Sequence, residues 1–129
     1  MSTLKVDTIQ DASGGNSCTA SQIAQGRAKA WIHFDGQDTV AIRDSFNVSS
    51  LTDNGTGDYT ITFDSAMANT NYAVTTTQPA QHNFTQAILG IEQDHTNAFA
   101  TGSIRVQSVK TGANTAVDRD VQCVVIHGD

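Results

Sequence analysis

The stretch from Gly26 to Phe63, GRAKAWIHFDGQDTVAIRDSFNVSSLTDNGTGDYTITF, constrains the fold most, because alternation and turn residues recur in it at strand spacing. Ala30, Ile32 and Phe34 fall on one side of a period-2 run and Lys29, Trp31 and His33 on the other, as in a strand with two unlike faces. Asp35-Gly36 marks a turn. The next run, Thr39 to Ser49, keeps Val40 and Ile42 in step, then Phe46 and Val48 after the polar Arg43-Asp44-Ser45 step. Asp53-Asn54-Gly55-Thr56-Gly57-Asp58 supplies the positive φ angles of a hairpin, and Tyr59, Ile61 and Phe63 follow on a shared face. The expectation is a strand-turn-strand-turn-strand meander.

Further runs continue the theme at Asn71 to Thr77, Thr85 to Glu92, Gly102 to Lys110 and Val121 to His127. Their spacing predicts an all-β domain, an antiparallel, jelly-roll-like β-sandwich over residues 26–129. Thr, Asn, Ser, Gly and Val are abundant and strong helix formers are scarce, with Glu92 the single glutamate. Val121, Cys123 and Val125 alternate with Gln122, Val124 and Ile126, so this last strand is apolar on both faces. It is buried either between sheets or against a neighbouring subunit. The second choice makes Val124 and Ile126, with Trp31, candidates for an oligomer interface.

Residues 1–25 read differently. Leu4, Val6, Ile9 and Ile23 are their only large apolar side chains besides Met1, and Asp11 to Ser21 is a polar linker. Such a segment cannot bury a core of its own. Extended, it could reach about 80 Å, which suits an arm whose Leu4, Val6 and Ile9 add to another subunit's sheet or groove. The competing arrangement is a first strand folded back onto the domain.

Composition removes several functions. The chain has 129 residues, enough for one modest core, and a formal charge of −6 with seven scattered Lys and Arg. A nucleic-acid partner is not expected, since phosphate contacts need clustered cations. No apolar run approaches the roughly 20 residues that span a bilayer, and no secretory layout opens the chain, so synthesis in a cytoplasm and no membrane insertion are expected. Cys18 and Cys123 lie far apart without metal-type spacing and are expected to be reduced thiols.

Catalytic motifs are absent: there is no GxSxG, HExxH, P-loop or GxGxxG. The expectation is a protein that is not an enzyme and carries no cofactor. Asp35/Asp38 and Asp118/Asp120 are the nearest carboxylate pairs for glycan cleavage, yet both sit in turn-like clusters that favour Asp for backbone bonding. Asp53 to Asp58 lacks the calcium-loop spacing and reads as a hairpin turn. His33, His82, His95 and His127 are not paired at metal-ligand spacing; one of them repeated about a threefold axis could ligate a metal, but an exposed or interface role is simpler.

A resemblance covers about the first half of the chain. The opening Ser2-Thr3-Leu4-Lys5-Val6-Asp7-Thr8-Ile9-Gln10-Asp11-Ala12-Ser13-Gly14-Gly15, together with Gln25-Gly26-Arg27-Ala28-Lys29-Ala30-Trp31 and the run through Thr60, resembles tail-fibre and related virion structural proteins of tailed bacteriophages, especially those of marine bacteria and cyanobacteria. It implies a virion protein, a short fibre or fibre tip attached through its N-terminal arm to another virion protein, commonly trimeric, and active in host adsorption. Its implied partner is a host-surface glycan or outer-membrane protein. The loops His82-Asn83-Phe84 and His95 to Asn97 are then the receptor-contact candidates, since sandwich-end loops carry recognition. A decoration or adaptor protein of the tail, baseplate or capsid is the alternative, and a polysaccharide-degrading tailspike a third.

Overall fold

The computed structural model describes residues 1–79, 87–91, 98–112 and 115–128. It contains β1 (Thr8–Gln10), β2 (Ser17–Thr19), α1 (Ala20–Gly26), β3 (Ala30–Asp35), β4 (Ala41–Phe46), β5 (Val48–Gly55), β6 (Asp58–Phe63), β7 (Ala73–Thr77), β8 (Ala87–Ile91), β9 (Ser103–Lys110), β10 (Thr115–Ala116) and β11 (Gln122–His127). β4-β3-β11-β7 form one antiparallel sheet. β10-β9-β6-β5 form the other, with β8 paired to β9. The fold is therefore the expected all-β, antiparallel sandwich.

Its core comes from the alternating faces read in the sequence. Ile32, Phe34, Tyr59, Ile61, Ile104, Val106, Val124 and Ile126 are each at most 2% exposed and pack in one cluster. Phe34 and Tyr59 meet edge to face across the two sheets with ring centroids 5.1 Å apart, a favoured aromatic geometry. At the edge, the Thr76 hydroxyl of β7 donates to the Leu89 carbonyl of β8, tying the sheets together.

Two expectations need correction. The meander does not stay in one sheet, because β4 and β5 belong to different sheets and Asn47 alone separates them. Asn47 has φ 55°, a left-handed conformation that Asn tolerates better than most residues, and the chain turns the sandwich corner there. A bulge between His33 and Phe34 also breaks the alternation along β4: Ile42, 37% exposed, pairs with the buried Phe34, while Phe46, 53% exposed, pairs with Trp31 on the outward face. The finer jelly-roll-like order is not confirmed: β3–β4, β5–β6 and β8–β9 are sequential neighbours within their sheets.

The second correction concerns β11. It lies between β3 and β7, so Val124 and Ile126 point into this chain's own core at 0% and 1% exposure. They are not surface for another subunit. Cys123, Val125 and His127 occupy the outward face of the same strand and are half-buried.

Candidate binding site

Ala30 is the first buried residue in the chain. Before it, β1 and β2 pair antiparallel through Ile9 and Cys18, and α1 follows, so the leader is a small hairpin and helix where an extended segment is expected. The turn is built on Asp11, whose carboxylate accepts from Ser13 Oγ, Gly15 N and Asn16 Nδ2 at 2.8–2.9 Å. The Ser13 and Asn16 bonds dominate in lowering its pKa to about 2. α1 opens on a capping box, in which Thr19 Oγ1 accepts from Gln22 N and Gln22 Oε1 accepts from Thr19 N. The Thr-x-x-Gln signature was legible; the polar composition around it masked the helix.

This local structure buries none of its large apolar side chains. Leu4, Val6, Ile9 and Ile23 are 82%, 42%, 50% and 42% exposed. The three attachment candidates are thus exposed in a segment without a core, Ile9 in β1 and Leu4 and Val6 ahead of it.

The outward face of the β4-β3-β11-β7 sheet carries a second set. Phe46, Trp31, Val125 and Thr75 are successive cross-strand partners in one row. Asp44, His33, Cys123 and Thr77 form the next. Trp31, the remaining interface candidate, is half-buried here and keeps a face toward solvent. Both cysteines are free.

At the Phe46 end of the first row an open cleft of about 540 Å³ is lined by Arg27, Lys29, Phe46, Asn47, Asp64 and Ser65, among others. One side chain organises it. Asn47 Nδ2 donates to the Lys29 and Ser65 carbonyls at 3.0 Å each, and its Oδ1 accepts from Ser65 N at 2.7 Å. The linker before β3, the sheet corner and the segment after β6 are thereby pinned to one another. The only mark of this site in the sequence is an Asn interrupting the Phe46/Val48 strand pattern, a sign of positive φ.

At the opposite end of the sandwich the carboxylates serve the fold. Asp118 Oδ1 accepts from Gly57 N at 2.6 Å and from the Tyr59 hydroxyl at 2.7 Å. Asp35 accepts from Gln37 N and pairs with Arg43 at 2.8 Å; the Gln37 bond chiefly lowers its pKa, desolvation opposes it, and Arg43 adds a smaller lowering. Asp53 closes the β5–β6 hairpin through Gly55 N, and Asp58 is held by the guanidinium of Arg105. Asp35, Asp53 and Asp118 thus make the backbone bonds expected of carboxylates in turns, and the ion pairs of Asp35 and Asp58 add to these. The receptor-contact candidates His82, Asn83, Phe84, His95 and Asn97 lie outside the described residues. His33 contacts Arg43 on the sheet face and His127 lies beside Gln25, Asn69 and Asn71. Among the described residues no His, Cys, Asp and Glu group of three gathers at metal-binding range, and no helix is long and apolar enough to cross a membrane. No protein-family model, curated protein or solved structure matches the chain.

Proposed function

We propose that this chain is a non-enzymatic virion protein of a tailed phage, a short fibre or fibre tip that docks through its N-terminal segment and presents the sandwich to the host surface. The observation that carries the docking part is the position of the first buried residue, Ala30: no side chain before it is buried, and Leu4, Val6, Ile9 and Ile23 are each at least 42% exposed. Apolar groups of that size gain roughly 1.5–3 kcal/mol each on full burial, so a protein partner is their natural cover. The virion setting rests on the sequence resemblance of the leader and the Gly26-to-Thr60 region. In a trimer, Trp31 and Val125 on the outward sheet face supply the contact that Val124 and Ile126 cannot.

Deletion of residues 1–20 tests the docking role. The truncated protein is expected to unfold cooperatively at a midpoint near that of the full chain, because no buried side chain is lost, and to be missing from purified particles by mass spectrometry. Normal incorporation of the truncated protein would refute attachment through this segment. Loss of cooperative folding would instead make the leader part of the domain. The decoration reading is separated by adsorption: particles lacking the protein would then attach to host cells at the normal rate.

A further inference from the structure

The geometry points to the cleft between Arg27, Lys29, Phe46 and Asp64 as a binding site for a carboxylated saccharide. This rests on the reading of the sandwich as the surface-recognition part of the protein. Its size is within the roughly 300–1,000 Å³ of small-ligand sites. Its chemistry is unusual for this chain. On a protein of formal charge −6, Arg27 and Lys29 bring two of the seven basic side chains to one wall, and neither is in an ion pair among the described residues. By contrast Arg43 and Arg105 are each committed to a carboxylate.

The ligand class follows from what the walls offer together. Arg27 and Lys29 favour an anion, and a guanidinium suits a carboxylate through paired N–H donors. Phe46, 53% exposed, supplies a flat apolar surface for the C–H face of a ring. Asp64, also exposed, accepts hydrogen bonds and repels a second negative charge nearby. One anionic group, an apolar ring face and several hydroxyl donors describe a sugar acid. A polyacidic peptide would place further carboxylates against Asp64 and would leave Phe46 without a ring to cover. The three Asn47 bonds hold the walls in place before any ligand arrives, so little ordering is lost on binding.

The test is calorimetric titration of the full-length protein with oligogalacturonate and oligomannuronate, with their methyl esters, and with an oligoglutamate peptide. Saturable binding of at least one uronate, with a Kd on the order of 1 mM for a single shallow site, is expected. Esterification of that uronate, Phe46→Ala and the double change Arg27→Glu/Lys29→Glu should each weaken it at least tenfold. Lys110→Glu should leave binding unchanged, and the thermal midpoints of all variants are measured alongside. Absence of saturable binding to both uronates, equal binding of the esters, undiminished binding by the cleft variants, or preference for the oligoglutamate would each overturn the assignment. Particle incorporation is scored separately. Cleft variants are expected to enter particles normally, so failure of sugar binding and failure of N-terminal docking are read by different measurements; variants that lose incorporation would overturn the cleft as a ligand site and mark it as an assembly contact.

Discussion

The hydroxyl of Tyr59 donates to Asp118 Oδ1 at 2.7 Å, joining residues 59 positions apart and fastening β6, the second strand of the β5–β6 hairpin, to the segment that leads into β11. Asp118 is the hub, because the same oxygen also receives Gly57 N at 2.6 Å. Removing it leaves a buried phenol and a backbone N–H without their shared acceptor. Asp118→Ala is therefore expected to cost about 2–3 kcal/mol and Tyr59→Phe about 1 kcal/mol. Urea denaturation of both variants checks the order; a larger effect from Tyr59→Phe would remove Asp118 from the centre of the network.

Alkaline stability follows from the same site. Burial, then the Asp118 bond, pushes the Tyr59 phenol well above its usual range, and burial, the larger of the two influences on it, raises Tyr72. The folded chain thus retains protons that the unfolded chain releases. Stability is fully present below about pH 10 and falls as pH rises beyond it. Tyr59 and Tyr72 are the two tyrosines of the chain, so ultraviolet absorbance reports on both. Tyrosinate is expected to appear together with unfolding; a gradual rise near pH 10 with the fold intact would contradict it.

Gly36 is buried where an added Cβ would fall on Gln122 Nε2 and the Tyr59 hydroxyl, both in residues fully buried in the core. Neither can retreat without breaking the end-of-sandwich network. Gly36→Ala is expected to cost roughly 1–3 kcal/mol through overpacking. Gly90, in β8, has open space at the corresponding point, and Gly90→Ala should be near neutral. Equal thermal midpoints for the two variants would show that the turn adjusts freely.

Asn47 has two separable roles. Its side chain makes the three bonds that shape the cleft, and its backbone holds φ 55°. Asn47→Ala loses both, while Asn47→Gly loses only the bonds. Alanine should be the more damaging by about 1 kcal/mol, with a total of roughly 2–4 kcal/mol. Denaturant midpoints at constant slope check this, and a glycine variant as unstable as alanine would mean that the backbone angle contributes nothing.

Strand faces were legible where one side of a strand is buried and its register is regular: Ala30, Ile32 and Phe34, or Tyr59, Ile61 and Phe63, are core as their alternation predicts. Phe46 was misplaced because a bulge at His33/Phe34, set by tertiary pairing, shifts the β3–β4 register. The cleft was hidden for a related reason. Arg27, Phe46 and Asp64 are distant in sequence and meet only because Asn47 turns the chain from one sheet to the other. β11 was ambiguous in principle, since a strand apolar on both faces does not say which face the core takes, and its central place between β3 and β7 decides it.

That decision separates two neighbouring valines. Val124 is 0% exposed in the core, while Val125 faces outward beside Trp31 and Thr75. An aspartate at 124 would bury a carboxylate among Phe34, Ile61 and their neighbours without a partner, a penalty of several kcal/mol that rivals the stability of a small domain. Val124→Asp is expected to unfold the chain, seen as loss of the cooperative thermal transition. Val125→Asp keeps the new charge at the outward face and should leave the fold intact. If a neighbouring copy sits on the Trp31 and Val125 surface, as proposed for the trimer, Val125→Asp should lower the mass found by sedimentation equilibrium to that of one chain. A folded Val125→Asp protein with the wild-type assembled mass would exclude this face from the interface.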